Sequence, residues 1–324
     1  MYDRGLSVLE QYGLEAVSVR RGRGVLICET AEGTVLIREF CGTQKKLESQ
    51  AALLGKIAGE TRILTDEILK NREGGYVSSD SENIPYVVKR WYEGKECDTR
   101  NEKDICSSMA ALAQLHKAMQ MPVQEHYVRE CLPGEFDRHN RELRKIRKFI
   151  STKRRKNDFE QLFLDSVSLF LSHGEEAQKR LSCSGYQKLR EDCLGKGTVC
   201  HGEYNQHNIL FAGEARVAVT NFDKWNFDMQ TADIYQFMRK ILEKHDWSGA
   251  LAGQMLHAYE QVRTLSKEEK ENLRIRFSYP EKYWKLANHY YTHKKAWISQ
   301  KSVEKMEKLI EQHDKWRNFT EKKL

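Results

Sequence analysis

In the stretch HGEYNQHN at 201–208, a carboxylate, Glu203, precedes an amide, Asn208, by five residues. Two short apolar runs follow, then TNFDKW at 220–225 and Asp233. These residue types at this spacing suit phosphoryl transfer from a nucleotide. That reaction needs a carboxylate near the acceptor hydroxyl and two oxygen-bearing side chains that hold magnesium against the phosphates. A loop carrying the base, an amide five residues on, a hairpin and a second carboxylate at its far end form one compact layout for it. His201 is a candidate base or a support for the loop. The loop support is the better reading, because Glu203 already supplies the carboxylate.

Other elements must position those groups. Residues 25–28 and 35–40 are β-rich runs about a Glu32-Gly33 turn, which predicts a hairpin. After Thr43, a suitable N-cap, Leu47, Ala51, Leu54 and Ala58 fall on one helical face. PYVVKRW at 85–91 reads as a strand, and the glycine of Tyr92-Glu93-Gly94 suits a hinge. Beyond it, Ile105, Met109, Leu112 and His116 share a helical face, and His116 reads as a satisfied core residue. Residues 135–180 read as two long helices with polar faces, and 209–211 with 217–219 as a small hairpin about Gly213. Helical spacing returns at Ile234, Phe237, Met238, Ile241 and Leu242. The expected class is α+β and bilobal. A small antiparallel sheet with one main helix should span 1–90, a hinge 91–94, and a larger helical lobe 95–324, with the catalytic-type loop at 199–223. Glu203, Asn208 and Asn221 should converge on one cleft.

The loop at 201–208 resembles the H-G-D-x-x-x-x-N loop of aminoglycoside phosphotransferases and choline kinases. ALAQLHKA at 111–118 is similar to their "LA-x-LH" helix, and TADIYQF at 231–237 to the start of the helix after their metal site. FMRKILEKHDW at 237–247 and YPEKYWKLANHYYTHKKAWI at 279–298 resemble C-terminal segments of the bacterial CotS-like spore coat family, a kinase-like branch of that superfamily. The resemblance covers essentially the whole chain. It implies a kinase-like fold and a place in the spore coat after synthesis in the cytoplasm.

The same resemblance exposes departures. The family's catalytic aspartate falls on Glu203, which moves the carboxylate by about one methylene; a misplacement of ~1 Å costs ~100-fold. The metal-binding aspartate falls on Asn221, so charge that balances the phosphates is lost. The strand lysine that holds the phosphates falls on Arg38, a larger and forked cation, with Glu48 as its best candidate partner. Asn208 keeps its type, and Asp223 is a further metal candidate. The glycine loop over the phosphates is reduced to Arg21-Gly22-Arg23-Gly24. The resemblance with these changes implies a pseudokinase or very weak phosphotransferase that scaffolds the coat. No cofactor is then required, and ATP with magnesium binds weakly if at all. The alternative is an active phosphotransferase on a small hydroxylated substrate or coat component, with Glu203 as base.

Composition bounds the remaining classes. The chain has 324 residues, 40% of them hydrophobic, which suits two packed lobes and excludes global disorder. A formal net charge of +7 is too modest to indicate nucleic acid by itself. None of the eight cysteines forms the C-x-x-C pair of a zinc or redox site, and with synthesis in the cytoplasm reduced thiols are expected. The opening MYDRGLSVLEQYGLE lacks the pattern of a signal peptide, and no apolar run suits a membrane span. His289 and His293 are spaced for a shared zinc ion, yet Tyr290 and Tyr291 stand where a zinc helix carries glutamate. Tyr283, Trp284, Tyr290, Tyr291 and Trp297 read as core aromatics rather than a cation cage. RELRKIRKFISTKRRKN at 141–157 sets nine cations against one acid, Glu142. It is either a solvated helix or a docking stripe for other coat proteins or an anionic coat surface.

Overall fold

The computed structural model describes residues 5–22, 24–213, 216–292 and 300–322. Arg23, His293 and Trp297 lie outside the described residues. The chain divides into two compact units. One comprises Met1–Pro122, Lys196–Asn226 and Ala258–Arg263; the other comprises Val123–Gly195, Phe227–His257 and Thr264–Leu324.

The first unit is built on a five-stranded antiparallel sheet. Its strands run in the order Ala16–Gly22, Val25–Thr30, Gly33–Glu39, Pro85–Arg90 and Ser78–Ser79. Strand alternation decides what each face carries. Cys28, Val35, Ile37, Tyr86 and Val88 turn to one side and pack with Val8, Leu9 and Leu14. The pairs Leu36↔Lys89 and Arg38↔Val87 turn to the other. The register therefore places Arg38 and Lys89 on one face of the sheet.

Thr43 caps the helix Gln44–Glu60, its side chain accepting from Lys46 N at 3.3 Å. The buried face is Leu47, Gln50, Leu53, Leu54 and Ile57. It is turned from the expected one: Ala58 is exposed, because the stripe follows the larger side chains. In a second sheet, Leu64–Thr65 pairs in parallel with Arg216–Val219, which pairs antiparallel with Ile209–Ala212. This pairing sets the residues after Thr65 beside those after Val219. Within the helix Glu102–Ala118, His116 is buried and its Nδ1 lies 2.7 Å from the Tyr259 hydroxyl, the satisfied core role its position suggested.

The second unit is helical. Leu132–Ser151 and Asp158–Ser182 pack with Glu281–Thr292 and Gln300–Glu311 around Leu143, Ile146, Phe163, Phe170, Tyr283 and Met306. Asn157 and Glu160 form a capping box that starts the Asp158–Ser182 helix. The C-terminal aromatics divide. Tyr283 is fully buried, with its hydroxyl 3.0 Å from both Ser166 Oγ and Phe163 O, whereas Tyr291 is exposed. Among the described residues no helix is long and apolar enough to cross a membrane.

Candidate functional site

The loop carrying Glu203 is fastened mainly by its own side chains. His201 is fully buried; its Nε2 donates to Thr220 O at 3.1 Å, and its Nδ1 accepts from Glu203 N at 3.1 Å. Both ring nitrogens are thus engaged with backbone, which is a structural duty. The amides of Asn205 and Asn208 each donate to Glu203 O at 2.9 Å. Gly202 sits at φ +79°, and a Cβ there would stand 2.0 Å from Lys224 O, so only glycine lets the loop pass so close.

The Glu203 carboxylate is held from two sides. Asn221 Nδ2 donates to it at 3.2 Å and Lys224 Nζ at 3.0 Å. Asn221 is left-handed at φ 66°, a conformation open to Asn and Asp, and its backbone N–H donates to Asp66 at 3.1 Å. The parallel pairing of Leu64–Thr65 with Ala218–Val219 makes that contact. Glu203, Asn208 and Asn221 therefore come together within the first unit.

Asp223 joins them from the sheet side. It is ion-paired with Arg38 and with Lys89, the latter at 3.1 Å, and it accepts from Gln50 at 3.4 Å. Lys89 is also 2.9 Å from Asp66, and both are buried. Burial works to raise the Asp223 pKa, but Lys89 and then Arg38 outweigh it and hold the carboxyl down at about 2. Three cations, Arg38, Lys89 and Lys224, face three carboxylates, Asp66, Glu203 and Asp223. The cluster is neutral within itself.

Sequence reasoning missed Lys89, Asp66, Gln50 and Lys224. Lys89 had a signal: a lysine inside the apolar strand PYVVKRW has to meet a buried acid. Asp66 and Gln50 had none, since their roles follow from long-range pairing. The expected partner of Arg38 is corrected. Glu48 accepts from Gln44 at 3.0 Å within its own helix, and the carboxylate facing Arg38 is Asp223. Magnesium demands hard oxygen ligands in near-octahedral geometry. Of Asn208, Asn221 and Asp223, only Asp223 is a carboxylate, and Arg38, Lys89 and Gln50 already occupy its oxygens. The donors as placed do not fit a magnesium ion.

A family described as "Spore coat putative kinase YutH" matches residues 6–322. The chain belongs to this spore coat family. A curated relative of the spore coat family protein, Spore coat protein S of Bacillus subtilis (strain 168), is 23% identical over 166 residues, which is 51% of this chain. The match spans about half the length of that relative, 47%. Among solved structures, an aminoglycoside phosphotransferase from Alicyclobacillus acidocaldarius superposes on the spore coat family protein with a TM-score of 0.87 at 17% identity, over 97% of this chain and 93% of the other. The AMP-bound spectinomycin phosphotransferase gives 0.68 at 12% identity, over 98% of each chain. Choline kinase LicA from Streptococcus pneumoniae gives 0.54 at 14%, over 94% and 96%. The fold is therefore kinase-like, as the sequence led one to expect.

Proposed function

We propose that the chain is a component of the bacterial spore coat in which the kinase-like fold serves as a scaffold, with phosphoryl transfer lost or very weak. Membership of the spore coat family supports the location. The observation that carries the pseudokinase reading is the self-neutralised cluster: Asp223, the carboxylate best placed for metal, is bound to Arg38 and Lys89. In this reading no cofactor is required and magnesium-ATP binds weakly. A second reading, an ATP-dependent phosphotransferase on a small hydroxylated substrate or coat component, draws on Glu203. Its side chain is 29% exposed and its backbone is braced by Asn205 and Asn208, as a base position would need.

Thermal unfolding with ATP, with and without magnesium, separates the two. The scaffold reading expects no magnesium-dependent rise in Tm. A ligand at a hundredfold its Kd stabilises by about 2.7 kcal/mol, and a magnesium-dependent gain of that order would favour the enzyme.

A further inference from the structure

The basic stretch at 141–157 is less uniform than its sequence suggests. The helix ends at Ser151, and a turn leads to Asp158. Three of its cations are neutralised from outside the stretch: Arg141 by Asp137 at 2.9 Å, Arg144 by Glu175 at 2.6 Å, and Lys153 by the buried Glu160. Glu142 serves Arg138 and the Trp284 indole instead. Among the described residues the other six cations, Lys145, Arg147, Lys148, Arg154, Arg155 and Lys156, are exposed and have no acidic partner. Phe149 lies among them along the chain: Lys145 is one helical turn before it, Lys148 is its neighbour, and Arg154 and Arg155 follow just after the helix ends. Phe149 and Tyr291 are 46% and 44% exposed and meet edge to face at 5.4 Å.

We infer that this surface docks an acidic polypeptide segment carrying an apolar or aromatic anchor. One or two cations near a helix C-terminus answer its dipole. Six unpaired cations on a stretch that also exposes Phe149 exceed that need. Such a centre and rim divide the labour of a protein interface. Apolar contact at the centre supplies binding energy, and rim charges steer and orient the partner. A nucleic acid is the poorer fit, because one pair of rings meeting edge to face can seat a single anchor but gives no series of platforms for successive bases. A membrane surface is poorer too, since two rings make a far smaller apolar face than an interfacial helix. The inference stands whether or not the first unit binds nucleotide.

The test uses the full chain and fluorescence anisotropy at low salt. The probes are a short synthetic polyglutamate peptide with one central tryptophan, the same peptide with alanine there, single-stranded DNA, and phosphatidylglycerol vesicles. The tryptophan peptide should bind best and weaken as salt rises. Reversing Lys145, Lys148, Arg154 and Arg155 to glutamate should weaken it about tenfold. Lys145→Gln with Lys148→Gln gives a milder variant in case the reversal unfolds, and should weaken binding in the same direction. Phe149→Ala should remove the preference for tryptophan over alanine. Equal binding of the two peptides, tighter binding of DNA or vesicles, or no binding at low salt would overturn the inference.

Discussion

The buried ammonium of Lys89 lies 3.1 Å from the Asp223 carboxylate, on the sheet face that Arg38 also occupies. Lys89 bridges Asp223 to Asp66, and Asp66 receives the backbone N–H of Asn221. One lysine thereby couples the sheet to the loop that follows the hairpin.

Lys89→Met keeps most of the length of the side chain and removes the charge, leaving Asp66 buried without its cation. Breaking one side of a buried pair costs about 3–5 kcal/mol. Urea unfolding should show a loss in that range. Adding Asp66→Asn should restore part of it, because the two residues are in contact and their effects do not add. A loss within about 0.5 kcal/mol, as for an ordinary surface substitution, would mean that the pair is not formed.

Acid should weaken this coupling in a defined window. The Asp223 pKa is lowered from 3.8 to about 2 in the folded chain. A carboxylate depressed on folding contributes fully above its unfolded pKa, and the contribution fades as pH falls through 3.8 toward 2. The difference, 3.8 minus about 2, is worth about 1–2 kcal/mol after allowance for partial exposure. Wild type should exceed Asp223→Asn by that amount at neutral pH, and the two should converge near the folded pKa. Parallel urea curves across the acid range would contradict this assignment.

Titration calorimetry with magnesium-ATP should give a dissociation constant no lower than about 100 μM, if it detects binding at all. Glu203→Asp with Asn221→Asp puts aspartate at the two positions where the resemblance expects it, and Asp tolerates the left-handed conformation at 221. The double variant should bind magnesium-ATP more tightly than wild type and raise any ATP turnover. A fall in both would show that Glu203 and Asn221 are themselves adapted to catalysis.

Gly202→Ala tests whether the loop is as constrained as it looks. The added Cβ meets Lys224 O at 2.0 Å, at a backbone φ of +79°. The loop must move, at a cost above about 2 kcal/mol. A lowered Tm and faster proteolysis within 199–226 are expected; an unchanged Tm would show that the approach to Lys224 is not maintained.

The sequence alone determined the elements whose causes are local. Thr43 announced its helix, the β-rich runs at 25–28 and 35–40 about Glu32-Gly33 announced the hairpin, and HGEYNQHN announced a loop that His201 supports. It also determined the family, because that resemblance runs along the whole chain. What it could not determine was which charges meet. Arg38 and Lys89 share a face only through strand register, and Asp66 reaches Asn221 only through a parallel pairing across 155 residues. In the same way, Glu160 and Glu175 neutralise part of the stretch at 141–157 from the neighbouring helix. Capping and alternation are set by residues a few positions apart, whereas a charge responds to whatever lies within a few ångströms, and only the tertiary structure decides what that is.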